Sequence, residues 1–240
     1  LVSSLKQKKA REKEGLFFAE GERNVLDGAK KITPEMVFVS EKYKGSREFL
    51  CEVYEVTEQV FNKITDTETP QGILGVFKKR NGTLEDIKGE NILILNNLRD
   101  PGNIGTLLRT AKAAGFETVV ADKGCADIYS PKTVRAAMSG IFGLNIVFCD
   151  SLSDFIPRLK KKGYTIYAAD MNGDNIFQLK FSFPLGIILG NEANGVDEDV
   201  LKAAGDAVSI PMSGEMESLN AAVAGSVVMF EAARQKGGKL

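Results

Sequence analysis

From Asn91 onward the chain keeps returning to one pattern, a short apolar strand followed by an amphipathic helix. This repetition constrains its fold more than any other feature. The run Asn91–Ile92–Leu93–Ile94–Leu95–Asn96 reads as a buried strand, and 118–120, 145–148, 164–169, 185–189 and 207–210 read as further strands. Helices are expected over about 103–115, 132–139, 154–162, 197–204 and 218–235. Strands and helices that alternate in this way predict an α/β fold with a mostly parallel sheet covered on both faces. The first part is smaller and less regular. Gly15–Gly21 reads as a strand leading into a helix over 22–30, and 36–39, 53–56 and 72–77 are β-rich runs. Lys78–Lys79–Arg80–Asn81–Gly82 then breaks the pattern. The expected organisation is a small α/β domain over 1–79, a linker over 80–90 and a larger domain over 91–240.

Composition removes several chemistries. The 240 residues are 43% hydrophobic, ample for a buried core, and include no histidine. That excludes Ser-His-Asp and Cys-His nucleophile machineries and most transition-metal sites, and no metal is expected. Cys51, Cys125 and Cys149 are odd in number and widely spaced, with no CxxC pair, which suggests neither zinc nor disulfides and fits a reducing cytoplasm. The apolar runs fall short of a membrane span, and polar Lys6–Glu14 is followed by no signal-like apolar stretch, so a cytoplasmic protein is expected. With a net charge of −1, a nucleic-acid partner would need a local patch rather than a global field. Lys6, Lys8, Lys9, Arg11 and Lys13 form one basic stretch, either a solvated helix face or an RNA contact.

Three strand ends carry the candidate chemistry. After the strand at 91–96 comes Asn97–Leu98–Arg99–Asp100–Pro101–Gly102–Asn103–Ile104–Gly105. Here Pro101 and Gly102 are expected to form the turn and Asn103 to cap the helix. Ile104, Leu107, Leu108 and Ala111 share one stripe, and Arg109 falls roughly opposite, at about 100° per residue. It reads either as a solvated arginine or as one aimed at a phosphate or ribose. The second strand, 185–189, ends in Gly190–Asn191–Glu192–Ala193–Asn194–Gly195, where Gly190 permits close backbone approach. Glu192 reads as a cap for the next helix or as a ligand for a hydroxyl or amine. The third ends in Ile210–Pro211–Met212, after which Ser218 is expected to cap a helix. From Leu219 to Phe230 that helix carries no charge, which implies burial all round, inside one protomer or against a second.

In this combination the segments resemble the SpoU (TrmH-like) class of SPOUT RNA methyltransferases. The residues that carry the likeness are 97–105 with Arg109, Leu189–Gly190–Asn191–Glu192 with Gly195, and Ile210–Pro211–Met212 with Ser218–Leu219–Asn220. The likeness spans about 91–235 and is close to the ribosomal-RNA ribose methylases. The first part, closing with Thr69–Pro70–Gln71–Gly72 before an apolar strand, is similar to the L30e-like substrate-binding domain of that family. The resemblance implies a deep trefoil knot in the parallel sheet and a homodimer formed through the catalytic domain. It also implies S-adenosyl-L-methionine as cofactor and RNA as substrate, ribosomal RNA first and tRNA as the alternative. Asn103, Arg109, Glu192, Ser218 and Asn220 would form the catalytic set. Leu189, Gly190, Asn191, Glu192, Ile210, Met212, Ser218, Leu219 and Asn220 would hold the cofactor, and Arg109 and Arg135 would touch RNA. Ala193–Asn194 departs from the small pair found in many members.

The implied reaction is transfer of a sulfonium methyl to a ribose 2′-oxygen, with no metal. Arginine stays protonated, so Arg109 is expected to stabilise the forming oxyanion or clamp a phosphate, with the proton leaving to Glu192, water or an RNA phosphate. The rival classes are a non-catalytic RNA-binding protein and a Rossmann oxidoreductase. The latter would need a GxGxxG turn, which this chain lacks at the first strand end.

Overall fold

A computed structural model describes residues 1–214 and 218–237, so Glu217, in the third run, lies outside the described residues. The first part comprises α1 (Lys8–Glu14), β1 (Leu16–Glu20), α2 (Glu22–Ala29), β2 (Met36–Ser40), β3 (Glu52–Val56), α3 (Glu58–Ile64) and β4 (Ile73–Lys78). Its sheet runs β1-β4-β2-β3, with β4 antiparallel to both neighbours and β2 parallel to β3.

The second part begins with β5 (Asn91–Leu95), α4 (Pro101–Ala113), β6 (Thr118–Asp122), α5 (Pro131–Ala137), β7 (Asn145–Cys149) and α6 (Leu152–Lys161). It continues with β8 (Thr165–Asn175), β9 (Leu185–Leu189), α7 (Glu198–Ala204), β10 (Asp206–Ser209) and α8 (Ala221–Gln235). The sheet order is β10-β8-β9-β5-β6-β7, and every pairing in it is parallel. The two faces of β5 show why a parallel sheet needs two covers. Leu93 and Leu95 enter the core under α4, α5 and α8, while Ile92 and Ile94 enter the other, under α6 and α7. β8 runs six residues beyond the expected Ala169. Its second half, Asp170–Asn175, is polar and does not read as a strand, yet β10 pairs with it after a register shift. Gly173 makes this possible, because a Cβ there would lie 2.3 Å from the amide nitrogen of Val208.

The parts share a core. Phe17 and Phe77 of the first sheet pack with Tyr129 and Phe142 of the second part, with ring centroids 4.6 Å (Phe77–Phe142) and 4.8 Å (Phe17–Tyr129) apart. Residues between the sheets are themselves engaged: Gly82 pairs with Val147, Leu84 is buried, and the Arg80 carbonyl accepts from the Tyr129 hydroxyl at 2.5 Å. Arg11 is neither solvated nor free for RNA. It is 3% exposed, donates to the carbonyls of Leu5 and Lys6, and meets Asp127 at 2.6 Å. Its carboxylate lies 116 positions away, beyond any local pattern. Among the described residues no helix is long and apolar enough to cross a membrane.

Candidate active site

The loops after β5 and β9 lie side by side because those strands are neighbours in register, Leu95 opposite Leu189. The Asn96 amide donates to the Leu189 carbonyl at 2.9 Å, extending the ladder past the strand ends. The buried Asn96 side chain then ties three segments together. Its Nδ2 donates to Asp122 and Asp197, both at 2.9 Å, and its Oδ1 accepts from the Asp197 amide at 2.8 Å. Sequence reasoning missed Asn96, Asp122 and Asp197; the available signal was a polar residue closing an otherwise apolar strand.

Helix α4 starts earlier than expected. Its N-cap is Asp100, whose carboxylate accepts from the Asn103 amide at 2.8 Å, and Pro101 occupies the first turn. Proline suits that position because the helix has no use for its missing N–H. Asn103 is therefore not the cap but the third helical residue, and its side chain is free for longer-range work. Its Nδ2 donates to Glu192 Oε1 at 2.9 Å, and its Oδ1 accepts from Asn220 Nδ2 at 3.0 Å. Asn220, not Ser218, caps α8, its Oδ1 accepting from Ala222 at 2.9 Å and Val223 at 3.3 Å. The relay Glu192–Asn103–Asn220 thus joins all three strand-end segments.

Glu192 caps no following helix; Asp197 stands at the N-cap of α7. Besides Asn103, it accepts from the amides of Asp100 (3.3 Å) and Arg99 (3.4 Å). Partial burial pushes the carboxyl up, but hydrogen bonds from Asn103 and from the amides of Glu192, Asp100 and Arg99 outweigh it. The net position is below the usual carboxylate range. Such a carboxylate is an anchor and a poor proton acceptor.

The loop holding Glu192 is closed by Asn191 and Gly195, whose amides exchange hydrogen bonds at 2.8 and 2.9 Å. Asn191 Oδ1 also accepts from Ala193 and Asn194, so the departure at these two positions is accommodated without glycine, while Asn191 Nδ2 donates to the Asn97 carbonyl. The missing side chain at Gly190 makes room for the chain itself. A Cβ there would lie 2.2 Å from the Gly195 carbonyl carbon, so only glycine lets the loop cross beside the strand end.

The segment after β10 shows a different chemistry. Ile210 is half-buried, Met212 and Leu219 are 37% and 38% exposed, and Ser218 is exposed. Among the described residues the amides of Met212, Ser218 and Leu219 form no hydrogen bond. Open backbone donors beside half-exposed apolar side chains suit a ligand with a flat heteroaromatic ring and a short aliphatic arm bearing a sulfonium, so the residues fit S-adenosylmethionine.

Arg109 is exposed, and Gly140 brings the backbone of 138–143 against it, a Cβ there lying 3.1 Å from Arg109 Cα. It lies about 9 Å and about 240° of rotation along α4 from Asn103, so it does not join the relay in its own protomer. Arg135 is paired with Asp66 at 3.3 Å. Burial of α8 is also one-sided within the protomer: Gly225, Met229 and Ala232 face inward, but Val223 is 50% and Phe230 39% exposed.

Comparison with known proteins agrees with this geometry. Residues 90–230 match the family model described as SpoU rRNA Methylase family, and residues 1–75 the MRM3-like substrate binding domain. The 23S rRNA (guanosine(2553)-2′-O)-methyltransferase RlmP of Bacillus subtilis is 33% identical over 94% of this chain and 92% of its own. The human mitochondrial rRNA methyltransferase 3 is 27% identical over 100% of this chain and 72% of its own. The AdoMet-bound rRNA methyltransferase from Sinorhizobium meliloti superposes with a TM-score of 0.87 at 32% identity, covering 97% of this chain and 92% of that one. Since the segments wired together by Glu192, Asn103 and Asn220 all fall inside the matched region, the chain belongs to the SpoU rRNA methylase family.

Proposed function

We propose that this protein transfers a methyl group from S-adenosylmethionine to a ribose 2′-hydroxyl of ribosomal RNA of the 23S type. The observation that carries the reading is the relay Glu192–Asn103–Asn220, which holds three loops at one end of the parallel sheet where α/β proteins bind ligands. When bound, S-adenosylmethionine would supply an electrophilic sulfonium methyl, with a neutral thioether as the leaving group. Backbone groups of Leu189, Gly190, Ile210, Met212 and Leu219, with Asn191 and Ser218 beside them, hold and orient it. Alignment of methyl and hydroxyl is the main contribution of the protein. Arg109 stabilises the charge that develops on the ribose oxygen or clamps its phosphate. Glu192, held ionised and occupied by donors, orients Asn103, so the proton leaves to water or an RNA phosphate. Arg135 binds RNA once released from Asp66.

The homodimer and the knot belong to the same proposal. Val223, the partly buried Val227 and Phe230 recur at i, i+4 and i+7, an apolar stripe that a second copy of α8 would cover. The distance of Arg109 from its own relay supports a site shared across that contact. The crossing of 190–196 beside β9, with α8 packed over it through Gly225, supports the trefoil path. The domain division at 80–90 is kept, with 1–79 as the RNA-binding unit of a cytoplasmic enzyme.

Calorimetry with S-adenosylmethionine separates the enzyme from a non-catalytic RNA-binding protein; no binding at sub-millimolar cofactor overturns the proposal. Mapping of 2′-O-methylation in RNA from a deletion strain names the target, and a lost mark in tRNA alone would move the substrate. Arg109→Lys is expected to lower kcat by about 100-fold, the scale for one oxyanion donor, without rescue at raised pH. Recovery at high pH would instead make the side chain at position 109 the base.

A further inference from the structure

We infer that a cationic groove at the amino end of the catalytic sheet, lined by Lys31, Arg80, Lys88 and Lys112, binds the phosphate backbone of the substrate RNA at a distance from the methylated ribose. The inference rests on the RNA methyltransferase reading. The groove has a volume of about 630 Å³ and lies where the first part, the 80–90 segment and the second part meet. It is bordered by Glu117 and Asn145, which stand at the amino ends of β6 and β7, whereas the candidate active site lies beyond the carboxyl ends of β5 and β9. At about 3.3 Å per residue, a five-residue strand separates them by roughly 17 Å.

Its cations outnumber its carboxylates. Four exposed cations converge there with two carboxylates, Asp86 and Glu117, in a protein whose net charge is −1. Among the described residues none of the four cations is in an ion pair, whereas Lys162, Lys202, Arg234 and Lys236 elsewhere are each paired, with Glu85, Glu198, Glu231 and Glu90. Asp86 is already committed, accepting from the amide and hydroxyl of Thr83 at 2.8 and 2.9 Å. Unpaired like charges repel unless a polyanion is present, and several lysines and arginines along one groove are what phosphate recognition requires.

The groove is also continuous with the surface around Arg109. Arg109 and Lys112 are three residues apart on the exposed face of α4, and both lie along the 138–143 segment. A Cβ at Gly140 would touch Arg109, and one at Gly143 would lie 2.6 Å from Lys112 Cε. An RNA strand whose target ribose meets Arg109 would pass Lys112 and enter the groove. The four cations come from three separate stretches of chain, so the RNA would bridge the two parts, which the Phe17–Phe77–Phe142 packing already holds in fixed relation.

The test compares Lys31→Gln/Lys88→Gln/Lys112→Gln with a charge-matched control, Lys160→Gln/Lys161→Gln/Lys202→Gln, on the α6 and α7 side. Binding of an unmodified 23S-type ribosomal RNA transcript is measured across a KCl series, with methyl transfer in parallel. The groove variant is expected to lose about 2 from the slope of log K against log salt, at roughly 0.7 per single-strand phosphate, and to raise KM with kcat and cofactor affinity unchanged. The control should keep the native slope. Equal slopes for the groove variant and the native protein, or equal losses in both variants, overturn the inference. If the native protein methylates no RNA, the functional proposal fails, and the slope comparison still decides whether the groove holds phosphate.

Discussion

Asn103→Asp isolates one arm of the relay. An aspartate at this position can still accept from Asn220, but it replaces the amide donor 2.9 Å from Glu192 Oε1 with a second carboxylate oxygen. Two unit charges about 4 Å apart repel by about 1 kcal/mol in water and about 4 kcal/mol near a protein surface, and this half-open site lies between those limits. At 1.36 kcal/mol per pH unit, the pair should release its last proton roughly one to three units above an ordinary carboxylate. The native carboxylate lies below its ordinary value, so its contribution to stability is present above the unfolded pKa and is lost as pH falls through the folded one. In Asn103→Asp the sign reverses: the loops are destabilised above the raised ionisation and recover below it. Methyl transfer to RNA, followed as kcat/KM from pH 5 to 9, should show a new ionisation, with activity depressed at neutral pH and partly restored on the acid side. Asn103→Ala should be depressed without that recovery. A native profile for Asn103→Asp would mean that the Glu192 contact does not position the loops.

Three further outcomes follow from the packing. Arg11→Ala leaves Asp127 and two carbonyls without their partner, so thermal unfolding should show a loss of about 3–5 kcal/mol, whereas Arg11→Met/Asp127→Asn should lose clearly less. Gly225→Val would press on Leu189 Cδ1, 2.2 Å from the Cβ position, and on Leu107. Calorimetry should then report weaker cofactor binding along with about 1–3 kcal/mol of lost stability. Val223→Glu/Phe230→Glu should shift sedimentation from dimer to monomer and abolish methyl transfer while S-adenosylmethionine-independent folding, read by circular dichroism, is kept.

What could be read from the residues was whatever depends on near neighbours. Strands such as 91–95 announce themselves because both faces are covered and every position is apolar. The errors lie where two local solutions compete. Asp100 and Asn103 can both cap a helix, and the decision rested on Pro101, which belongs inside the first turn. Ser218 and Asn220 offer the same choice, resolved by the two amides that Asn220 reaches. Polar Asp170–Asn175 gives no strand signal because its pairing is supplied by β10, more than thirty residues later.

Of the expected site residues the structure joins Asn103, Glu192 and Asn220 but not Arg109 or Arg135, and how the three are joined could not be read from the sequence for a physical reason. Asn103 was expected to spend its side chain on a helix end, which would have left Glu192 free to serve as a base. Once Asp100 takes the cap, Asn103 is released to hold Glu192, and the added amides of Arg99 and Asp100 keep that carboxyl ionised. A displacement of three residues in a helix cap therefore leaves Glu192, 89 positions away and one of three expected proton acceptors, held by donors instead. With no histidine in the chain and Arg109 permanently charged, the protein has no group in this site suited to taking the ribose proton. Under the proposed function its rate comes from alignment and from a cation near the forming oxyanion, the role proposed for Arg109.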